Sequence, residues 1–356
     1  MTTIPISVCI ITKNEAYNLE KCLQSIRPYP FEIVVVDTGS TDNSKDVAMK
    51  YADKVVDFTW VDDFSAARNF SVSQASHNII LVLDTDEYIT DIDLDELYNL
   101  IEANPRAIGL IKRIDYFDAG EMRRSQEVRV DRLFNRKYYH YVNPIHECLQ
   151  PIGKINLETY NIPLTADHTG YLGSQEELDA KSLRDIRLLE KQLESEPDNP
   201  YLYFQIGQSY LVMRNQEKAL HYLQLAMEHD PPVGPDYTRI LIKNYGELLI
   251  TCDQAEAALA LLKYYDSYQN NADYLCLIGK IYIQLNNPLK ALPEFIKALT
   301  APEYDSPDSR KEIPSYFIGH IYQCYGQLDI ALEHFKKCGD YPPALKRINQ
   351  INAMKN

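Results

Sequence analysis

Two carboxylates spaced i, i+2, Asp84 and Asp86, close the apolar run Ile79-Ile80-Leu81-Val82-Leu83, with Glu87 directly after them. In an extended chain such residues project to the same side. Held at a strand end, they could chelate or orient a hard divalent cation, which prefers oxygen ligands. The D-x-D triplet is common in proteins, and its place directly after an apolar strand is what gives this one weight. Two more polar clusters end apolar runs: Thr12-Lys13-Asn14-Glu15 after 6–11, and Asp37 after 33–36, followed by Thr38-Gly39-Ser40-Thr41-Asp42 and a helix start expected near Asn43. Singly, each reads as an ordinary turn with capping residues. Together, on one edge, they describe a cleft for a nucleotide, with carboxylates accepting from base and ribose, helix-start amides for anions and a metal for a diphosphate.

The elements that must position these groups alternate β-branched apolar runs (6–11, 33–36, 55–58, 79–83) with amphipathic stretches (19–26, 44–51, 64–75). That rhythm predicts βαβ units. Continuous apolar strands suit a mostly parallel sheet covered on both faces, whose C-terminal edge gathers ligands. From 107 to 171 the pattern loosens, with strands expected at 108–114 and 127–134 around a polar loop containing Asp118, Gly120, Arg123 and Arg124. Ser174 and Glu177 form a capping box for a helix with the apolar stripe Leu178, Leu183, Ile186, Leu189 and Leu193, stopped at 196–200. Beyond it, Gly207, Gly246, Gly279 and Gly319 set a repeat register. Around three of them recur a Tyr (210, 282, 322) and small Ala positions (219, 291, 331), whereas the copy at Gly246 keeps Ala258 but has Leu249 in place of Tyr. This pattern resembles the tetratricopeptide repeat, in which stacked helical hairpins form a curved solenoid. The expected division is a catalytic domain at 1–173, a connecting helix at 174–198, repeats at 199–345 and a tail at 346–356.

At 356 residues the chain exceeds the usual size of a single core. Its 51 acidic and 36 basic residues leave a net charge of −15. Of these, 17 basic and 26 acidic residues precede Gln175, so no basic half hides in the average. Nucleic-acid binding is therefore not expected. Seven dispersed cysteines without a C-x-x-C pair favour reduced thiols and a cytoplasmic setting. The N-terminal run lacks a basic flank and turns polar at Thr12, and no run approaches the roughly 20 apolar residues of a membrane span, so any membrane association would be peripheral.

Over roughly 6–171 these residues resemble the GT-A fold glycosyltransferases of family 2. The resemblance rests on Thr12-Lys13-Asn14-Glu15, Val35-Val36-Asp37-Thr38-Gly39-Ser40-Thr41-Asp42, Asp63-Phe64-Ser65-Ala66-Ala67-Arg68-Asn69 and Leu83-Asp84-Thr85-Asp86-Glu87, in family order and at family-like spacing. With C-terminal repeats, the chain is similar to the branch of bacterial peptide S-glycosyltransferases. Later segments, Arg132-Leu133-Phe134, Ile145-His146-Glu147 and His168-Thr169-Gly170-Tyr171, resemble motifs of the same branch. The fold implied is an α/β GT-A catalytic domain, Rossmann-like with a mostly parallel sheet, followed by an all-α repeat solenoid.

The resemblance also implies roles. Thr12 and Glu15 would line the nucleotide site, Asp37 would accept from uracil, and Arg68 would lie near the diphosphate. Asp84 and Asp86 would form the metal-binding D-x-D, with Asp86 the direct ligand of Mn or Mg. His146 or His168 could complete the metal shell. For the base that an inverting transfer needs, Glu147 is the candidate and Asp115, Asp131 and Asp167 are rivals. Of the cationic group Arg123, Arg124, Arg129, Arg132, Arg136 and Lys137, one or two would clamp the diphosphate and the rest would be solvated. The activity expected is transfer of a hexose or N-acetylhexosamine from a UDP-sugar to a Ser, Thr or Cys side chain presented to the repeats. A glycan or lipid-linked acceptor is the alternative, and so is a non-catalytic adaptor built on a decayed domain. For the repeats, a partner groove stands beside a scaffold or a homodimer surface.

Overall fold

The run Ile6–Thr12 is apolar on both faces of an extended chain and almost wholly buried, so it forms an interior strand, β1. The computed structural model describes residues 4–119, 122–172 and 174–355, and the chain divides into two units, Met1–Gln192 and Leu193–Asn356. In the first, β1 leads through α1 (Ala16–Ile26), β2 (Glu32–Asp37), α2 (Ser44–Tyr51), β3 (Lys54–Asp57) and α3 (Phe64–Gln74) to β4 (Ile79–Val82). Then come β5 (Glu87–Ile92), α4 (Leu94–Ala103), β6 (Ile108–Ala119), β7 (Met122–Asn135), β8 (Tyr139–Val142), β9 (Cys148–Pro151), β10 (Thr159–Tyr171) and α5 (Gln175–Leu193).

Eight strands make one sheet in the order β3-β2-β1-β4-β7-β6-β10-β5, and β8 and β9 form a separate hairpin. The strands β3, β2, β1 and β4 pair in parallel, as does β6 with β10, while β7 and β5 run against their neighbours. Along β1 the pleat divides the core. Ile6, Val8 and Ile10 pack with α1 and α4 residues such as Leu23 and Ile101, whereas Cys9 packs with Val72 of α3 and Tyr141 of the β8–β9 hairpin. All four parallel strands thus open their C-terminal ends on one edge, where Thr12, Asp37 and Asp84 follow or close them.

Where a polar loop is expected, strand continues up to Ala119 and from Met122: β6 and β7 stay in register out to Asp118 opposite Arg123 and Ala119 opposite Met122. Cross-strand pairing of the long hairpin overrides the local turn composition there. Gly120 lies outside the described residues, as do the side chains of Asp118, Arg123 and Arg124. The capping box at the start of α5 forms reciprocally, the Ser174 N–H donating to Glu177 Oε2 at 2.8 Å and the Glu177 N–H to Ser174 Oγ at 3.3 Å.

The second unit is helical, with hairpins Pro200–Val212 and Gln216–Glu228, Ala272–Gln284 and Pro288–Ala298, and Glu312–Cys324 and Leu328–Lys337. Their glycines are demanded by close helix contact: a Cβ on Gly279 would stand 2.6 Å from Phe295 Cζ, and one on Gly319 would stand 2.9 Å from Phe335 Cδ1. In the divergent copy the first helix, Asp236–Thr251, is intact, but its partner breaks into Ala255–Ala258, a tight turn at Leu259–Tyr264, and Tyr265–Tyr268. No helix among the described residues is long and apolar enough to cross a membrane.

Candidate active site

The loops after β1 and β2 are bonded to each other. Asn14, in the left-handed region at φ 54°, accepts on Oδ1 from the Thr41 N–H at 2.7 Å, and its own N–H donates to Ser40 Oγ at 2.9 Å. The Glu15 N–H donates to Ser44 Oγ at 2.8 Å, which fixes the start of α1 against that of α2. Thr12 and Asp37 face each other in register. Asp37 Oδ1 accepts from the Gly39 and Ser40 N–H groups at 2.9 and 2.8 Å, while its Oδ2 and the Thr12 hydroxyl are buried without partners. Unpaired buried acceptors are costly, so such atoms mark a place kept for a ligand donor.

Asp63 caps α3 by accepting from the Ala66 N–H at 2.9 Å, which aims Arg68 under the D-x-D loop. Arg68 is 5% exposed. It donates through Nε to Glu147 Oε1 at 2.9 Å and through one terminal nitrogen to Asp84 Oδ1, and its other terminal nitrogen is buried without a partner. Glu147 reaches it because the segment after β8 docks on α3: Asn69 exchanges hydrogen bonds with the Tyr141 backbone at 2.8 and 2.9 Å, and the Phe64 N–H donates to Pro144 O at 2.8 Å.

Both oxygens of Asp84 are engaged, since Arg132 donates to Oδ2 at 2.6 Å. Burial opposes its ionisation, yet the two guanidiniums outweigh burial and hold this carboxyl well below the usual carboxylate range. Arg132 also spans Glu87 (2.6 and 3.1 Å), which is fully buried and accepts a further bond from Arg113 at 3.2 Å. Arg113 continues to Asp115, 2.7 Å away, and Asp115 meets His168 Nδ1 at 2.9 Å. Finally His168 Nε2 lies 3.7 Å from Asp86 Oδ2. Burial works to lower the His168 pKa, but hydrogen bonding and charge from Asp86 prevail and raise it. The chain of groups from Glu147 to Asp86 is therefore continuous, with three arginines threading five carboxylates.

The motif residues Thr12, Glu15, Arg68, Asp84, Asp86 and His168 line one cleft of about 440 Å³. Glu147 joins them through Arg68, and Asp37 adjoins Thr12. His146 sits on the exposed turn after β8 in a left-handed conformation, φ 51°. Among the described residues no group of three or more His, Cys, Asp and Glu side chains is arranged to hold a metal ion. The convergent pair is Asp86 and His168, and Gly170 leaves the space above it open: a Cβ there would stand 2.6 Å from His168 Nε2 and closer still to Asp86 Oδ2. A carboxylate oxygen and an imidazole nitrogen over such a cradle, with the imidazole's other nitrogen held by Asp115, could hold a divalent cation such as Mn.

Sequence reading expected most of the cationic group to be solvated. Arg132 is instead in the network, and Arg136 donates to the carbonyls of Val72 and Ala75 at 3.0 and 2.8 Å, tying β7 to the end of α3. Arg113 lies in no motif, and its one local signal is the i, i+2 pair with Asp115 on one strand face, while Glu87, next to the D-x-D, carries no sequence sign of its arginine partners. Among the rival bases, Asp115 is occupied by His168 and Arg113, whereas burial raises the pKa of Asp131 and of Asp167 from the usual carboxylate value.

The edge cleft, the D-x-D loop and the mixed sheet are the features expected of a glycosyltransferase. Residues 7–155 match the family Glycosyl transferase family 2, and 272–304 match the tetratricopeptide repeat, so the chain carries a family 2 glycosyltransferase domain followed by repeats. It is 28% identical over 268 residues to a TPR repeat-containing protein of Synechococcus elongatus, a match covering 71% of this chain and 66% of that protein, just under two thirds of its length. It is also 25% identical over 386 residues to the SPbeta prophage-derived glycosyltransferase SunS of Bacillus subtilis, covering 99% of this chain and 83% of SunS. The solved structure of S. aureus TarS superposes over 74% of this chain and 55% of its own, at 16% identity and a TM-score of 0.38.

Proposed function

We propose that the protein transfers a hexose or N-acetylhexosamine, with inversion, from a UDP-sugar to a Ser, Thr or Cys side chain of a peptide or protein. The observation that carries the donor reading is the set of buried, unpartnered polar atoms on one edge: Asp37 Oδ2, the Thr12 hydroxyl and a terminal nitrogen of Arg68. The carboxylate would accept from uracil N3–H, Thr12 would bond the base or ribose, and the spare Arg68 N–H would meet a phosphate oxygen. A divalent cation held by Asp86 and His168 would neutralise charge on the departing diphosphate. Asp84, bound on both oxygens, would act by holding Arg68 and Arg132 in place.

Glu147 would take the proton from the acceptor as the new bond forms, one oxygen anchored by Arg68. A Cys acceptor would ask less of this base, since a thiol of pKa about 8.5 is partly ionised near neutrality. Support for a peptide acceptor comes from the repeats and from the motif resemblance to the peptide S-glycosyltransferase branch. The test is incubation of a UDP-sugar panel with lysate and the enzyme, followed by mass spectrometry of modified proteins. Glu147→Gln should keep UDP affinity but lower transfer by about 10²-fold or more. Normal transfer by Glu147→Gln, with loss in Asp131→Asn, would move the base to Asp131.

A further inference from the structure

The catalytic cleft is bounded by more than the family domain. Helix α5, beyond the matched residues 7–155, contributes Lys181 and Arg184 to its lining. The helix is held there through the segment before α3: Arg187 donates to Asp62 Oδ1 at 2.7 Å, and the Arg184 guanidinium lies 5.1 Å above the Phe64 ring. Trp60, the single tryptophan of the chain, lines the same cleft and also donates to Asp62, at 3.0 Å.

Three of the five cationic side chains lining this cleft are paired with carboxylates. Arg68 is neutralised by Asp84 and Glu147, Arg113 by Glu87 and Asp115, and Arg184 by Asp185 at 2.8 Å. Lys13 and Lys181 make no ion pair or hydrogen bond among the described residues, and of the two Lys181 is half-buried and Lys13 exposed. A lysine on a helix ordinarily finds a carboxylate four residues away. Here both are engaged elsewhere: Glu177 closes the capping box by accepting from the Ser174 N–H, and Asp185 pairs with Arg184. A half-buried lysine with its helical partners withdrawn, at the wall of a cleft, is arranged for an anion from outside the chain.

We propose that Lys181 is a diphosphate-binding residue of the donor site, supplied by α5 from outside the family domain. This rests on the UDP-sugar reading and deepens it: the leaving diphosphate would be met by Lys181 on one side and by Arg68, with the cation site, on the other. Lysine suits the role as a compact point charge on a flexible stem.

The experiment titrates UDP and, separately, uridine into the full chain with Mn present, read by calorimetry and by Trp60 fluorescence. Lys181→Ala should weaken UDP by about tenfold or more, the loss of one charge-assisted bond, and leave uridine affinity and thermal unfolding unchanged. Lys181→Arg should recover most of the UDP affinity, and Lys181→Met should not. Unchanged UDP affinity in Lys181→Ala, or an equal loss for uridine, would overturn the proposal while leaving the donor reading intact. Wild-type protein that binds UDP no better than uridine would overturn both.

Discussion

At the scale of single residues, the site is a problem in holding like charges together. Five carboxylates lie in one continuous network, and three arginines are interleaved so that each carboxylate except Asp86 is paired with a guanidinium. Asp86 is left facing His168, over a glycine. This predicts an unusually sharp effect for a single methyl group. Gly170 has no left-handed backbone requirement, so Gly170→Ala carries no backbone strain, but its Cβ would occupy the cradle between Asp86 and His168. Gly170→Ala should therefore abolish the enhancement of UDP affinity by Mn, as Asp86→Ala should, while metal-free UDP affinity stays near wild type. Calorimetry with and without Mn checks this, and a Gly170→Ala protein that keeps its metal enhancement would remove the pair from the cation site. The motif residues themselves were legible in the sequence because each follows an apolar strand. The pairing of Arg132 and Arg113 with Glu87 was not, because it depends on which strands become neighbours.

At the scale of elements, that neighbour relation is the part periodicity does not encode. The four parallel strands and their helices could be read from alternating apolar runs, but β5 and β10 could not. Thr159–Tyr171 inserts between β6 and β5, partners roughly 50 and 80 residues distant, and its polar residues Asp167 and His168 mask its strand character. In the repeats a comparable long-range clip is built on Asp273. Its carboxylate accepts from Lys243 (2.8 Å), from Ser309 Oγ (2.8 Å) and from the N–H groups of Asp305 and Ser306 (2.8 and 3.1 Å), pinning the 299–311 connection to the helix Ala272–Gln284. Burial alone would raise this carboxyl, but Lys243 and the hydrogen bonds outweigh it and lower it. A folded pKa below the unfolded value of about 3.9 means that the stabilisation is present above that pH and lost as pH falls through the folded value. Asp273→Asn should cost about 1–2 kcal/mol at pH 7. The gap in melting temperature from wild type, followed by circular dichroism, should narrow as the buffer is taken from neutral towards pH 3. A gap that stays constant with pH would deny the clip its charge.

At the scale of the whole molecule, the proposed donor site draws on the first unit alone, and the second unit must add something else. Every group assigned to the nucleotide, the diphosphate, the cation and the base lies within Met1–Gln192, and that unit has its own buried core on both faces of its sheet. The repeats have theirs, built from small residues under aromatic ones, as in Gly279 and Ala291 against Phe295. If the repeats present the acceptor, donor binding and acceptor use should separate cleanly on truncation. A protein ending at Pro197 keeps α5 and Lys181, so its UDP affinity and Mn enhancement should match those of the full chain. Its modification of protein acceptors should fall by orders of magnitude, while slow hydrolysis of the donor by water, which needs no docking, persists. The measurement is a paired assay of UDP-sugar hydrolysis and label transfer to lysate protein. Undiminished transfer by the truncated protein would take the repeats out of acceptor recognition. Loss of UDP binding would instead mean that the first unit needs the second for its fold, because nothing in the donor site extends past Gln192.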